Sequence, residues 1–86
     1  ITYPAHNSKI VLEQDRSRRP ETIYFQILSP AENQNVYLNG RRLGRAERMM
    51  AWVPELGKYV LSLKDSFGLL IDKVEFEVVA PRLAHV

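Results

Sequence analysis

The sequence contains no cysteine, which excludes a disulfide framework and any metal site built on thiolates. It contains no apolar run close to the ~20 residues that a transmembrane helix needs, and no signal peptide at its start. The chain begins with Ile1 rather than methionine, inside a stretch with strand character. We therefore expect a piece of a larger exported protein whose targeting and membrane signals lie upstream.

Patterns that support catalysis or cofactor binding are missing as well. No serine is followed by lysine three residues later, and neither Lys-Thr-Gly nor Gly-x-Ser-x-Gly occurs, so the common serine acyl-transfer motifs are absent. The four glycines stand singly, which argues against a phosphate-binding loop. His6 and His85 lie far apart, without acidic neighbours at metal-ligand spacing. The sequence predicts no enzyme activity, no metal and no cofactor for this segment.

Regular alternation of apolar and polar residues is the main positive signal. It runs through residues 23–27, 58–64 and 73–78, and a period of two is what a strand with one buried face requires. Each stretch has the usual length of a strand. Shorter strands are predicted at four further places, over residues 1–3, 9–12, 36–38 and 49–53.

Turn chemistry separates the predicted strands. Asn39-Gly40 favours a type I′ hairpin turn, which needs positive φ at both central residues. Asp65 and Gly68 stand at the first and last positions of a predicted type I turn. Residues 45–51 are good helix formers, so a single helical turn is the alternative there. Because the run is short and Pro54 follows closely, we expect no stable helix.

These signals predict an all-β fold, an immunoglobulin-like or fibronectin-like antiparallel β-sandwich of about seven strands. With 86 residues, 45% of them hydrophobic and 26% charged, the chain has material for one core. We assign residues 1–80 to a single sandwich domain and residues 81–86 to a C-terminal tail. The side chains expected to face the core are Ile10, Leu12, Ile23, Phe25, Ile27, Val36, Leu38, Trp52, Tyr59, Leu61, Leu63, Val74, Phe76 and Val78.

A series of short motifs in a fixed order points to a family. The motifs are Ile1-x-x-Pro4, Leu38-Asn39-Gly40-x-x-Leu43-Gly44, Trp52-x-Pro54-x-x-Gly57-x-Tyr59-x-Leu61-x-Leu63-x-Asp65-x-x-Gly68 and Val74-x-Phe76-x-Val78. In order and spacing the chain resembles the C-terminal domain of bifunctional (class A) penicillin-binding proteins of the 1C type. It departs from the family at His6-Asn7, where Asp-Gly is usual. It also departs at Val36-Tyr37, where a tryptophan is usual, so no role of that indole is carried over.

The resemblance implies a parent enzyme that makes peptidoglycan at the inner membrane, with its glycosyltransferase and transpeptidase domains ahead of this segment. The segment itself would be a non-catalytic accessory domain in the periplasm, attached to the membrane only through the parent protein. Its partner would be peptidoglycan, a periplasmic protein or the parent's own transpeptidase domain. Two alternatives stay open: a structural spacer that stabilises the transpeptidase domain, and an adhesin-like or fibronectin-like repeat of an unrelated surface protein.

Arginine is concentrated in the first half of the chain, although the net charge is only +2. The guanidinium group binds carboxylates and phosphates through a planar fork, which makes a dense group of arginines a candidate anion-binding surface. Solubility and scattered ion pairs are the plainer interpretation of the same residues. The group consists of Arg41, Arg42, Arg45 and Arg48, and the loop arginines Arg16, Arg18 and Arg19 can join it.

Aromatic residues divide between the predicted core and the predicted surface. Tyr24 and Tyr37 fall at outward positions of their strands and are added to the candidate binding surface, with Val60 as a further exposed residue. Trp52 precedes Pro54 and an inward-facing strand, so we expect it in the core. The slight net charge and the expected periplasmic location argue against nucleic acid as a ligand.

Overall fold

The computed structural model describes residues 1–12, 21–28 and 30–80. Its regular structure is β-strand, and no helix occurs within these ranges. The strands are β1 (Ser8–Val11), β2 (Ile23–Gln26), β3 (Gln34–Leu38), β4 (Arg41–Arg45), β5 (Met49–Trp52), β6 (Gly57–Asp65) and β7 (Leu70–Val79). The predicted tail 81–86 and the arginines Arg16, Arg18 and Arg19 lie outside the described residues.

The strands form two sheets of unequal size. Five of them make a sheet in the order β1-β7-β6-β3-β4, and β2 pairs with β5 in a second, antiparallel sheet. Neighbours in the larger sheet are antiparallel except at one edge, where β1 runs parallel to β7. The parallel pairing of β1 with β7 departs from the antiparallel sandwich that the sequence predicts. Because β1 and β7 are distant in sequence, no hairpin sets the direction of β1.

Alternation along the strands predicts the core correctly. Phe25 of β2, Val36 of β3 and Leu61 of β6 are completely buried, and most of the other side chains predicted to face inward are buried with them. Ala46 also joins the core, although no alternation marks it in the sequence. The predicted members that are partly buried, and pack against the core, are Ile10, Leu12, Trp52 and Tyr59.

Four aromatic rings connect the two sheets. Phe25 of β2 and Trp52 of β5 come from the smaller sheet, and Tyr59 of β6 and Phe76 of β7 come from the larger one. Ring centroids across the interface lie 4.8 Å apart for Trp52 and Tyr59, and 6.0 Å apart for Phe25 and Phe76. Such pairs contribute about 0.5–1.5 kcal/mol each beyond the area that they bury. We call these four residues the ring cluster; in it Trp52 is partly buried and packs against the core, on the side where the sequence predicts it.

The hydroxyl group of Tyr59 lies at the rim of the ring cluster. Its hydroxyl donates a hydrogen bond to the backbone carbonyl of Glu55 at 2.8 Å. Burial disfavours the phenolate, and the nearby Glu55 carboxylate repels it, so the pKa of Tyr59 is raised. The phenol therefore stays neutral and keeps donating through the physiological pH range.

The sequence did not predict β4. The strand pairs with β3 through the Asn39-Gly40 turn, whose φ angles of 51° and 82° match the predicted type I′ turn. Residues 45–51, the alternative location of a helical turn, lie instead in the end of β4, a short link and β5. Pairing with neighbouring strands satisfies more backbone groups than one isolated helical turn would.

The first residues of the chain lie against both sheets. Residues 1–3, predicted as a strand, form only an isolated bridge between Tyr3 and Gln26. The Ile1 nitrogen lies within hydrogen-bond distance of the Asp72 carboxylate, which holds the first described residue against β7.

Replacing Phe25 with alanine removes a completely buried ring from the contact between the sheets. We expect the free energy of unfolding to fall by about 3–5 kcal/mol, a large share of the ~5–15 kcal/mol that a small domain has. Urea unfolding followed by circular dichroism measures the change. Tyr24→Ala, at the adjacent and exposed position of β2, is the control and should cost less than ~1 kcal/mol. Equal losses at the two positions would contradict the assignment of the core.

Candidate functional site

The outer face of the larger sheet aligns side chains from four strands in cross-strand rows. In the first row, Arg42 of β4 lies opposite Tyr37 of β3. On its other side Tyr37 lies opposite Ser62 of β6, which in turn lies opposite Lys73 of β7. These side chains point away from the core, because residues next to them in β3, β6 and β7 are buried against the smaller sheet.

A second row runs beside the first. Arg45 of β4 lies opposite Asn35 of β3, Asn35 lies opposite Lys64 of β6, and Lys64 lies opposite Leu70 of β7. Adjacent rows on one face of a sheet are close enough for long side chains to interact diagonally. We call the two rows together the cationic face; its charged members are Arg42, Arg45, Lys64 and Lys73.

Two contacts tie the rows to each other. The Arg42 guanidinium donates from Nε and Nη2 to Asn35 Oδ1, at 3.2 and 2.9 Å. The ammonium nitrogen of Lys64 lies 5.0 Å from the centroid of the Tyr37 ring, which is within the range of a cation–π interaction. Both contacts restrict long side chains that would otherwise be mobile, so two of the four cations are positioned before any ligand binds.

The charges of the cationic face are not neutralised within the described part of the chain. None of its four cations forms an ion pair with a carboxylate there. Rows farther along the sheet differ, because Lys58 of β6 and Lys9 of β1 lie on either side of Glu77. Positive potential is therefore concentrated on one part of the sheet, where it attracts anions.

Beside the rows around Glu77, where both signs of charge occur, lies an open groove of about 400 Å³. Its lining includes Val60, which is half-buried rather than exposed, so that prediction is wrong. His6 has a structural role next to the groove, since its Nδ1 accepts a hydrogen bond from the Glu75 backbone N–H at 3.1 Å. No group of three potential metal ligands occurs among the described residues.

The structure divides the candidate binding residues between two surfaces. Arg42, Arg45 and Tyr37 belong to the cationic face. Tyr24 is 47% exposed on β2, so it lies on the outer face of the smaller sheet, on the opposite side of the sandwich.

The other two arginines of the candidate group also lie away from the cationic face. Arg41 lies opposite Leu38, on the core side of the edge strand β4, although its side chain is exposed. The backbone carbonyl of Arg48 accepts a hydrogen bond from the Ile27 N–H at 3.1 Å, which places Arg48 beside the smaller sheet.

Sequence reasoning missed that Lys64 and Lys73 join the arginines. The alternation in β6 and β7 places both lysines on an outward face, but alternation does not say which strands are neighbours. That information lies in the strand order, with β3 between β4 and β6. A hairpin signal at Asn39-Gly40 was the one local indication that β3 and β4 pair.

A model of the penicillin-binding protein C-terminus family matches residues 1–76. The chain belongs to the penicillin-binding protein C-terminus family. The resemblance stated from the sequence motifs is thereby confirmed. No curated protein sequence matches the chain.

A solved structure confirms the fold of this member of the penicillin-binding protein C-terminus family. The fibronectin(III)-like modules of CbhA from Clostridium thermocellum are similar to it with a TM-score of 0.59. The match covers 92% of this chain and 95% of that chain, at 17% sequence identity. At this level of identity the likeness shows a fibronectin-like fold alone. Within the described residues, the domain has no helix long and apolar enough to cross a membrane.

The contact between Lys64 and Tyr37 can be tested by its effect on stability. We expect Tyr37→Leu to lower the free energy of unfolding by about 0.5–1 kcal/mol, because leucine has no ring to attract the ammonium group. The loss should be smaller when Lys64 is already methionine, and Tyr37→Phe should retain the stability. Urea unfolding of the four variants measures these differences. A Tyr37→Leu loss that is unchanged in the Lys64→Met background would mean that the ring does not hold the lysine.

Proposed function

We propose that the chain is the non-catalytic accessory domain of a bifunctional peptidoglycan synthase, and that the cationic face docks this enzyme on the cell wall. The parent enzyme would be anchored in the inner membrane, with this domain in the periplasm. Membership in the penicillin-binding protein C-terminus family supports the parent. The observation that carries the docking role is the concentration on one sheet face of four cations, none of which forms an ion pair within the described residues.

The shape of the cationic face favours a polymer over a small ligand. A sheet surface offers no deep pocket, so each bound anion contributes little binding free energy by itself. A polymer that repeats its carboxylates can occupy several cations at once, and the local concentration of the second and third groups then raises the total affinity. The peptide stems of peptidoglycan carry such carboxylates. Arg42 suits them best, since its guanidinium is already oriented by Asn35.

Features of the same face support a role without catalysis. Ser62 is buried in the first row, and the nearest candidate base in sequence, Lys64, has its ammonium group over the Tyr37 ring. The family match also favours this role over that of a repeat from an unrelated surface protein.

Co-sedimentation with purified peptidoglycan sacculi tests the proposal. We expect the chain to sediment with sacculi at low salt and to be released as salt screens the charges. The double variant Arg42→Glu/Arg45→Glu should weaken retention by roughly tenfold, because it removes the net positive charge of the cationic face. Its matched control is Arg41→Glu/Arg48→Glu, which changes net charge identically but leaves that face intact.

Two results would contradict the docking role. Equal losses in the two double variants would mean that net charge alone, and not the cationic face, causes retention. Absence of retention on sacculi, combined with capture of a protein from periplasmic extract, would replace the cell wall with a protein partner. Melting temperatures of both variants, measured in parallel, show whether either substitution has unfolded the domain.

A further inference from the structure

The turn between β6 and β7 exposes an unusual amount of apolar surface. Phe67 is 92% exposed and Leu69 is 67% exposed, and the next two residues, Leu70 and Ile71, are about half exposed. Single exposed apolar residues are common on protein surfaces, but four large ones in sequence form a patch that marks an interaction site. We call residues 66–71 the hairpin tip.

The hairpin tip is held in one conformation by Asp65. The Asp65 carboxylate oxygen Oδ1 accepts hydrogen bonds from the backbone N–H groups of Phe67 and Leu69, both at 2.9 Å. The Gly68 N–H donates to the Asp65 carbonyl at 3.0 Å, and Gly68 has a φ of 83° that suits glycine. The apolar side chains are therefore presented to solvent by an ordered turn.

The hairpin tip is continuous with the cationic face. Leu70 lies directly opposite Lys64 and ends the second row. From the hairpin tip along the sheet, apolar side chains come first. The four cations with Tyr37 follow, and then the rows around Glu77, where lysines and a glutamate lie side by side. Apolar, cationic and mixed surfaces thus follow one another in a single direction.

We propose that the hairpin tip inserts into the surface of an anionic lipid bilayer, with the cationic face contacting the lipid headgroups. The order of surfaces matches the layers of such a membrane, where hydrocarbon is followed by negatively charged headgroups and then by water. Lysine and arginine extend from an apolar surface toward headgroups, and tyrosine is enriched at the same depth. We favour an anionic bilayer over a protein partner, because a bilayer always presents an apolar layer, an anionic layer and water in this order.

This role goes beyond docking on the cell wall and does not depend on it. The hairpin tip takes no part in the binding of carboxylate polymers, so substitutions there should leave retention on sacculi unchanged. Reversal of Arg42 and Arg45 should weaken binding to both sacculi and vesicles. The two proposals can therefore fail separately.

Flotation with lipid vesicles tests insertion. We expect the chain to float with vesicles that contain phosphatidylglycerol and to bind pure phosphatidylcholine vesicles much more weakly, because the cations need anionic headgroups. Phe67→Ser/Leu69→Ser should reduce the partition coefficient by at least about tenfold, since each lost side chain removes apolar burial. Val53→Ser/Leu56→Ser is the matched control, as these residues are 53% and 58% exposed ahead of β6, away from the hairpin tip.

A second pair of variants tests the charge of the headgroup contact. Lys64→Glu should weaken binding to phosphatidylglycerol vesicles several-fold, whereas Lys58→Glu, on the same strand but opposite Glu77, should change it little. Equal vesicle binding by wild type and the tip variant would overturn the proposal. So would the absence of binding to anionic vesicles by a chain whose melting temperature shows that it is folded, and the patch would then be a contact for protein.

Discussion

Contact between the two sheets through the ring cluster is the interaction on which the rest of the structure depends. Within the described residues, the smaller sheet has two strands of four residues each, and a two-stranded sheet is at best marginally stable alone in water. Phe25 and Trp52 attach it to Tyr59 and Phe76 of the larger sheet, over ring distances of 4.8 to 6.0 Å. This packing fills the interior with apolar side chains, so groups that can bind a ligand are left to the outer faces and turns.

Because the interior is apolar and closed, recognition by this domain should depend on charges distributed over a sheet face and on a turn that projects into solvent. Backbone pairing within the sheet makes the cationic face rigid, and two side-chain contacts orient its Arg42 and Lys64. The hairpin tip is also rigid, because Asp65 fixes its backbone. Neither surface encloses a ligand. Each suits an extended partner, a polymer for the face and a lipid surface for the tip, whose repeated groups compensate for weak individual contacts.

Alternation and turn chemistry predicted most of the fold, because both depend on residues that are near in sequence. The period of two placed Phe25, Leu61 and Phe76 correctly inside, and Asn39-Gly40 formed the expected turn. Strand order and the parallel direction of β1 depend on distant pairing, which no local pattern carries. β4 pairs locally with β3, but its residues show no alternation that would mark a strand. The candidate site combined residues of different surfaces because β4 was not predicted. Neighbours in sequence, such as Arg41 and Arg42, face opposite sides of that strand.

A double-mutant cycle across the ring cluster tests the central claim most directly. Phe25→Leu and Phe76→Leu each keep an apolar side chain but remove one ring from either sheet, and urea unfolding gives the free energy of each variant. If the rings join the sheets as described, the two losses should couple by about 0.5–1.5 kcal/mol. Losses that add to within ~0.3 kcal/mol would contradict direct contact between these rings, and with it the arrangement of the two sheets.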